Sequence, residues 1–454
     1  MFFYYEEHEE IIKALLLIFV PLRVLRGLIF PVNPVKKVSL KNLRCIHLIA
    51  ILLFIFMAGC AAYKTQPDIS EKTALYRVSL SEFPVFSDDM GYDELEYSIC
   101  NSISYLKKVS PLKKFKFGND FFSTAHMIKS LEHFKNYIQT KPSKQDLNQF
   151  VRSNYLIYKS IGGSKHGQVL FTGYYEPILQ GSLRKSNEYS FPIYARPDDL
   201  ITVDLSLFSS RFKGEKIIGR YFNHAFVPYH ERNEIDYEDS LKEKTEIIAW
   251  VNDPVDLFFL QIQGSGKICL DNGQTINVHY HATNGRPYRS IGKLLIENEK
   301  IPRSQMSMQK IRSYLNDNPE ELKTILNYNP SYIFFKIEKE GPLGCLNVKL
   351  TPGRSIALDR RISPEGALAF IETEKPLING SGQIHVWTKF KRFVLNHDTG
   401  GAIKGPGRAD LFYGNGLNAE IAAGHMKHFG ELYFLVLKPE ISRVVESKNA
   451  RAVK

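Results

Sequence analysis

Short apolar segments bounded by turn-forming residues run through most of the chain after residue 167, and this pattern constrains its fold more than any other feature. Gly, Pro, Asn or Asp flank each segment, as is typical of β-strands. The clearest strand candidates are 168–172, 191–194, 246–251, 257–263 and a series from 332 to 436. Helical spacing there is confined to an interlude, with candidate helices at 290–299, 304–315 and 319–326. Many short strands with Gly-rich turns favour β-barrels over a doubly wound sheet, so the chain is predicted to be mainly β with helical additions.

Two further helices are predicted between residues 120 and 161. The apolar positions of the first recur near helical spacing at Phe121, Met127, Leu131, Phe134 and Tyr137. Ser143 is a suitable N-cap for the second, which is expected to run through Phe150 and Tyr158.

The first sixty residues resemble an export signal. A basic stretch precedes an apolar run at 46–58, which is shorter than the roughly 20 residues that cross a bilayer and ends in Ala-Gly-Cys at Cys60. This end resembles a bacterial lipobox and predicts Cys60 as the lipidated first residue of the mature chain. The alternative is a signal anchor with an incidental cysteine. We expect a leader at 1–60 and a polar linker at 61–72. Asp does not follow Cys60, which favours the periplasmic face of the outer membrane.

The charge balance predicts an acidic partner. The chain has 59 Lys and Arg against 48 Asp and Glu, a formal charge of +11, which suits nucleic acid, anionic lipid or an anionic polymer. Export argues against nucleic acid. Beyond Cys60, the three cysteines Cys100, Cys269 and Cys345 show no CxxC spacing, so neither a disulfide framework nor a zinc site is predicted.

Two motifs suit a sugar polymer. Tyr174 and Tyr175, in FTGYYEP at 171–177, would offer aromatic faces with hydroxyl edges; the alternative is a core strand before a turn. In LQIQGSG at 260–266, Gln261 and Gln263 lie two residues apart. On a strand, both amides would project from one face and could bind hydroxyl and acetamido groups. The alternative is a plain hairpin turn, since the glycines lack the spacing of a phosphate loop.

Three aspartates are candidates for chemistry. Asp359 ends an apolar strand beside two arginines and, taken alone, is expected to form a salt-bridged turn. Asp398 and Asp410 flank Lys404 in a Gly-rich segment, and Asp410 lies between Ala409 and apolar residues. Partial burial and a neighbouring carboxylate raise the pKa of a carboxyl group, as a general acid requires. The alternative for Asp410 is a structural role.

Six blocks, in this order, closely resemble the membrane-bound lytic murein transglycosylase A family. They are FTGYYEP, LQIQGSG, NGRPYRSIG (284–292), NPSYIFF (329–335), LTPGRSIALD (350–359) and DTGGAIKGPGRADLF (398–412). The last two are similar to its 3D domain, which is named for three aspartates. The resemblance covers roughly 167–438 and implies two domains separated by a groove. We expect a double-psi β-barrel domain from 73–175 and 336–454, and a smaller inserted β-domain at 176–335.

The same resemblance implies a reaction and its residues. Asp359, Asp398 and Asp410 match the three aspartates, with Asp410 as the catalytic one. The residues expected to bind substrate are Thr172, Tyr174, Tyr175, Gln261, Gln263, Ser265 and Lys404. The family cleaves the β-1,4 bond between N-acetylmuramic acid and N-acetylglucosamine without water, metal or organic cofactor. Expected partners are peptidoglycan, the membrane through Cys60, and cell-wall synthesis or division proteins that the sequence does not identify. The rival interpretations are a non-catalytic peptidoglycan-binding lipoprotein and a murein glycoside hydrolase.

Overall fold

A computed structural model of the protein describes residues 73–163 and 167–442. The predicted leader, the lipidation site at Cys60 and the linker at 61–72 lie outside the described residues, as does the end of the chain from 443. Within the described ranges, no helix has the length and apolar character needed to cross a bilayer.

The strands form most of the described structure. In chain order they are β1 Leu75–Arg77, β2 Lys114–Phe117, β3 Asp120–Ser123, β4 Tyr155–Ser160, β5 Val169–Glu176, β6 Ile178–Ser182, β7 Phe191–Tyr194, β8 Ile201–Asp204, β9 Lys216–Phe222, β10 Ala225–Pro228, β11 Ile247–Val251, β12 Ser265–Leu270, β13 Thr275–Thr283, β14 Ile333–Glu338, β15 Ser355–Ala357, β16 Leu368–Ile378, β17 Ile384–Asp398, β18 Arg408–Asn415 and β19 Lys427–Leu437.

Helices occur before, between and after these strands. They are α1 Leu95–Lys108, α2 Thr124–Ile138, α3 Lys144–Asn154, α4 Arg232–Tyr237, α5 Pro254–Gln263, α6 Ile291–Glu297, α7 Met308–Asp317, α8 Pro319–Asn327 and α9 Leu417–His425. The predicted interlude of three helices is confirmed by α6, α7 and α8. The Ser143 cap is confirmed as well, since its hydroxyl accepts a hydrogen bond from the backbone N–H of Asp146.

Six strands close into a barrel in the order β19, β16, β17, β15, β18 and β5, with β5 pairing back to β19. The pairs β15–β17 and β18–β5 are parallel, and the other pairs of the ring are antiparallel. The prediction of a mainly β fold with a barrel and helical additions is therefore confirmed. The barrel draws β5 from one part of the chain and β15 to β19 from another, so residues about 180 positions or more apart in sequence meet in one sheet.

A second six-stranded sheet is formed entirely by strands between β5 and β15, in the order β14, β13, β12, β6, β11 and β7. A bridge between Ala195 and Phe335 joins its two ends. Helices α5 to α8 share a separate apolar core, which includes Phe258, Leu295 and Leu315. The strands β10, β9 and β8 form a small sheet of their own. The predicted insertion limits of 176 and 335 stay a prediction.

The strand prediction for 257–263 is wrong, because this segment lies in helix α5. The Asp253 side chain accepts hydrogen bonds from the N–H groups of Val255 and Asp256, and Pro254 occupies the first turn. Gly264 ends the helix in the left-handed conformation, with φ of +80°. An acidic cap, proline at the start and glycine after the end are together a helix signature that outweighs the short apolar run.

The helix predicted through Tyr158 ends at Asn154, since the aromatic and β-branched residues after it form β4 and pair with β19. The sequence predicts no helix at α1, α4 or α9. The buried positions Leu95, Ile99, Ile103 and Leu106 of α1 do follow helical spacing.

Candidate active site

Four residues form a row across adjacent strands of the barrel. Ala357 on β15 is in register with Asp398 on β17 on one side and with Asp410 on β18 on the other. Asp410 is in turn the partner of Thr172 on β5. Paired positions in a sheet project to the same face, and neighbouring strands lie about 4.8 Å apart. The two aspartates are thus held on one face, on either side of Ala357.

Asp410 is largely buried, with its side chain 20% exposed. The Thr172 hydroxyl donates a hydrogen bond to its Oδ1 atom. Arg408 Nη2 lies 3.1 Å from Thr172 Oγ1 and 3.5 Å from Asp410 Oδ1. Burial raises the pKa of Asp410 above its ordinary value, although the Arg408 charge and the Thr172 hydrogen bond act in the opposite direction. Burial is therefore the physical reason for the elevated pKa of Asp410 that the sequence predicts.

Asp398 lies at the end of β17, and its Oδ1 atom accepts hydrogen bonds from two backbone N–H groups, those of Cys345 at 2.9 Å and Thr399 at 2.8 Å. Burial raises the pKa of Asp398 to about 6, with a smaller contribution from the charge of Asp410, while the backbone donors oppose the shift. Asp398 therefore changes charge close to neutral pH, and it is fixed by main-chain atoms.

Tyr174 follows Thr172 by two residues on β5, so both side chains project from the same face. Its ring lies 5.1 Å from that of Phe412 on β18, measured between centroids. Burial, and then the neighbouring charge of Asp398, raises the pKa of the Tyr174 phenol well above its ordinary value. Tyr174 is therefore neutral and faces both aspartates.

Asp359 lies beside this row and fastens the segment 399–407 that joins β17 to β18. Its carboxylate receives the Arg361 guanidinium at 2.6 and 2.9 Å and the backbone N–H of Gly405 at 2.8 Å. These hydrogen bonds, Arg361 first, hold the pKa of Asp359 at about 2. Asp359 is therefore a permanent anion in a turn, and Lys404 is exposed on the segment that it holds.

The two glutamines are not paired on one face, and that expectation is wrong. Residues two apart on a helix point about 200° away from each other. Gln261 is buried, and its Oε1 atom accepts a hydrogen bond from Arg232 at 2.5 Å. Gln263 instead accepts one from the backbone N–H of Tyr175 at 3.1 Å, so it contacts β5 near the row. Both stay predicted substrate-binding residues only on the resemblance.

Tyr175 and Ser265 are both buried. Tyr175 points away from Tyr174 and packs with Ala419 and Ala423 of α9. Gly173 permits this contact, because a Cβ atom there would lie 2.8 Å from the Cα atom of Ala423. Ser265 begins β12 and is in register with His279.

Arg408 is the site residue that the sequence reasoning missed. It precedes Asp410 by two residues on β18, so strand alternation places both on the same face. Its Nε atom is buried without a hydrogen-bond partner among the described residues. The row thus offers a protonatable carboxyl group, a second carboxyl of intermediate pKa and one guanidinium. In the described ranges no three His, Cys, Asp or Glu side chains are grouped as metal ligands would be.

Sequence comparison gives the site its context. The chain is 32% identical over 286 residues to the membrane-bound lytic murein transglycosylase A of Escherichia coli K12, a match that covers 62% of this chain and 70% of that protein. The chain belongs to the membrane-bound lytic murein transglycosylase A family. The corresponding protein of Vibrio cholerae is 31% identical over 284 residues, covering 61% of this chain and 68% of that one.

The family models fall on the two parts of the fold. The MltA specific insert domain matches residues 170–336, and the 3D domain matches 354–436. The 3D match contains β15 to β18 and therefore all three aspartates.

Solved structures of lytic murein transglycosylase A proteins share this fold. The Agrobacterium tumefaciens enzyme has a TM-score of 0.66 and 29% identity, covering 82% of this chain and 99% of that one. The E. coli protein with bound chitohexaose has a TM-score of 0.62 and 26% identity, covering 81% and 96%.

Proposed function

We propose that this protein is a lytic transglycosylase that cleaves the β-1,4 bond between N-acetylmuramic acid and N-acetylglucosamine in peptidoglycan. The products are 1,6-anhydromuramoyl chains, and no water is consumed. The observation that carries the proposal is the row containing Asp410, a buried carboxyl of raised pKa, in a chain related to lytic murein transglycosylases. An E. coli relative has been crystallised with chitohexaose, which supports a glycan substrate.

In the first step Asp410 acts as a general acid. Its raised pKa favours the protonated form, and this proton passes to the glycosidic oxygen as the bond to C1 breaks. The Thr172 hydroxyl donates to Oδ1, so this bond leaves Oδ2 to carry the acidic proton toward the substrate. Charge develops at C1 as an oxocarbenium-like cation.

In the second step the same group acts as a base. Ionised Asp410 accepts the proton of the muramoyl C6 hydroxyl while that oxygen attacks C1 and closes the anhydro ring. Asp410 is thereby protonated again for the next cycle. An internal nucleophile is already held close to C1, which gives it a large advantage over a water molecule. One carboxyl group therefore suffices for both proton transfers.

Asp398 acts on the reaction through its charge. Its backbone hydrogen bonds fix its position, and its negative form raises the pKa of Asp410 and stabilises a positive charge at C1. Asp359 keeps the 399–407 segment in place, and Lys404 on that segment is available to a substrate carboxylate. Tyr174 supplies a neutral hydroxyl and an aromatic face at the same position.

One geometric feature favours a second candidate, an inverting hydrolase. Asp398 and Asp410 project from one face of the barrel on either side of β15, so the site holds two carboxyl groups. Inverting glycosidases separate their two carboxyl groups by roughly 6.5–9.5 Å to admit a water molecule. The lytic proposal is preferred because of the family relationship.

Digestion of purified sacculi in water enriched in oxygen-18 distinguishes the two reactions. The proposal predicts anhydromuramoyl ends without the label. Labelled reducing ends would establish hydrolysis, and sacculus binding without any release would support the non-catalytic alternative.

We also propose that the enzyme is membrane-associated through a lipid at Cys60, on the periplasmic face of the outer membrane. The lipobox-like sequence and the membrane-bound relatives support this location. Peptidoglycan is its polymeric partner, and proteins of cell-wall synthesis or division are further candidates without a distinguishing feature in this chain.

A further inference from the structure

The small sheet of β8, β9 and β10 has one face that is apolar and open to solvent. Ile201 is in register with Gly219, and Tyr221 with Phe226, so these positions share a face. Ile217 belongs to the same face, two residues before Gly219. Ile201, Ile217, Tyr221 and Phe226 are all large, and they are 39%, 43%, 62% and 39% exposed. No charged side chain belongs to this face, which is unusual for a solvent-exposed sheet.

The opposite face of the sheet packs against the protein. Ile218 on β9 packs against the core cluster that contains Tyr229 and Phe334. Gly285 lies beneath it, because a Cβ atom there would come within 2.7 Å of Ile218 Cβ. The apolar face is therefore the outer one, and the core on its inner side fixes its orientation.

A second apolar element follows β8. Leu207 and Phe208, in the turn between β8 and β9, are 84% and 73% exposed. A group of large apolar side chains that is this exposed usually marks a surface where another molecule or a membrane binds. We call the sheet face and this turn together the 201–228 surface.

Basic residues outnumber acidic residues around this surface. The segment contains Arg211, Lys213, Lys216 and Arg220 against two acidic residues, Asp204 and Glu215. Lys216 and Arg220 share the inner face of β9 with Ile218, and Lys216 is paired with Asp204. Arg211 and Lys213 are exposed on the same connection as Leu207 and Phe208. Apolar and aromatic side chains rimmed by Lys and Arg are the pattern of a protein surface that rests at a membrane interface.

Sugar recognition is a poorer match to the same residues. The sheet face presents aliphatic side chains beside its pair of aromatic rings, and the Tyr221 hydroxyl is hydrogen-bonded to His224 Nδ1 at 3.2 Å. It therefore has few groups that could satisfy the hydroxyls of a glycan.

We propose that the 201–228 surface rests on a phospholipid bilayer with anionic headgroups. The inference rests on the proposed membrane association and not on the lytic reaction. The thirteen residues that follow Cys60, up to Thr73, can span up to roughly 43 Å, so an anchored enzyme stays within reach of the bilayer. Contact through this surface would fix the orientation of the enzyme on the membrane.

Fluorescence quenching by brominated lipids tests this contact. Full-length protein is reconstituted into vesicles of phosphatidylethanolamine and phosphatidylglycerol with bromine on the acyl chains. Tyr221→Trp places a reporter on the surface, and Tyr97→Trp is the matched control on α1, where the native tyrosine is 45% exposed. Trp250 and Trp387 contribute equally to both variants. Burial in the membrane interface brings the indole of Tyr221→Trp close to the brominated acyl chains. We therefore expect the fluorescence of its added tryptophan to be quenched at least about twofold more than that of Tyr97→Trp.

Three comparisons decide the outcome. Quenching should fall when phosphatidylcholine replaces the anionic lipid or when salt is added, and also in a Leu207→Ser/Phe208→Ser background. Equal quenching of both reporters would overturn the proposal. A blue shift at position 221 that increases with protein concentration but not with bromine would instead show that another copy of the chain covers the surface. Digestion of sacculi by each variant monitors the fold and tests the lytic reaction separately.

Discussion

At the residue scale, one carboxyl group must both release and accept a proton, and its neighbours set that balance. Asp410 is buried, which favours its neutral form, while Arg408 and Thr172 favour the ionised form. The charge of Asp410 raises the pKa of Asp398, and because this repulsion is mutual, ionised Asp398 also favours the neutral form of Asp410. Charges of opposite sign thus act on Asp410 from two sides, and removing either one should move its pKa in a defined direction.

Arg408→Gln should raise the pKa of Asp410, because it removes the positive charge that stabilises the carboxylate. Asp410 must be protonated to donate, so the alkaline limb of the pH–kcat/KM profile should move upward by roughly one pH unit. Arg408→Lys retains the charge and should move the limb much less. A downward shift in Arg408→Gln, or equal shifts in both variants, would contradict this role.

Asp398→Asn should have the opposite effect. Without its negative charge the pKa of Asp410 falls, and the alkaline limb moves to lower pH. The same variant should change the pH dependence of stability. In the folded wild type the pKa of Asp398 is about 6, above the ordinary value of 3.8. Protonated Asp398 therefore contributes to stability below pH 3.8, and this contribution is lost as the pH rises through 6. The free energy of unfolding, measured in urea from pH 4 to 7, should therefore fall less in Asp398→Asn than in the wild type.

At the element scale, the segment 399–407 connects the strands that carry the two aspartates, and Asp359 holds it from the side. The carboxylate joins Arg361, four residues after the end of β15, to the backbone N–H of Gly405. Misplacement of a catalytic group by a fraction of an ångström is costly. The geometry of Asp398 and Asp410 therefore depends on a segment held by Asp359, whose carboxylate is hydrogen-bonded to Arg361 and Gly405 and to neither aspartate.

Asp359→Ala should loosen this segment without removing the catalytic group. We expect kcat to fall by roughly tenfold and amide hydrogen exchange to become faster at 399–407. The alkaline limb should stay in place, because the environment of Asp410 keeps its charges. Unchanged exchange in the segment together with a shifted limb would mean that Asp359 acts on the chemistry directly.

Local sequence signals predicted some elements of the fold and not others, for physical reasons. The Ser143 cap and the three-helix interlude are set by nearby residues, so spacing and capping identify them. Helix α5 was mistaken for a strand because its apolar run was weighed without Asp253, Pro254 and Gly264 at its ends.

The row of Asp398, Ala357, Asp410 and Thr172 could not be derived from spacing, because it depends on register among strands distant in sequence. The family resemblance identifies the two aspartates of the row. Strand alternation from Asp410 is enough to identify Arg408 as a third site residue.

At the scale of the whole molecule, a buried ion pair ties the segment before α1 to the barrel. Arg354 and Asp88 are both inaccessible to solvent and make two hydrogen bonds, at 2.6 and 2.9 Å. Arg354 also donates to the carbonyl oxygens of Asp93 and Phe393. This pair connects the chain before the insertion with strands after it, including β17 next to the row.

Arg354→Met should destabilise the protein by about 3–5 kcal/mol, because it leaves the buried Asp88 carboxylate without a counter-ion, held only by backbone N–H groups. Arg354→Met with Asp88→Asn should recover part of this loss. Arg360→Met is the control, since Arg360 is exposed and its pairing with Glu365 should contribute no more than about 1 kcal/mol. Urea unfolding measures the stability of all three variants. Equal losses of stability in Arg354→Met and Arg360→Met would contradict a stabilising role for the buried ion pair.

Asp410 alone performs both proton transfers in the proposed reaction, and digestion of purified sacculi tests this role. Wild-type protein and Asp410→Asn are incubated with sacculi, and soluble muropeptides are identified by mass spectrometry while bound protein is measured by sedimentation. We predict anhydromuropeptides from the wild type, and from Asp410→Asn a loss of turnover of at least about a thousandfold with sacculus binding retained. Near-wild-type release of anhydromuropeptides by Asp410→Asn would contradict the assignment.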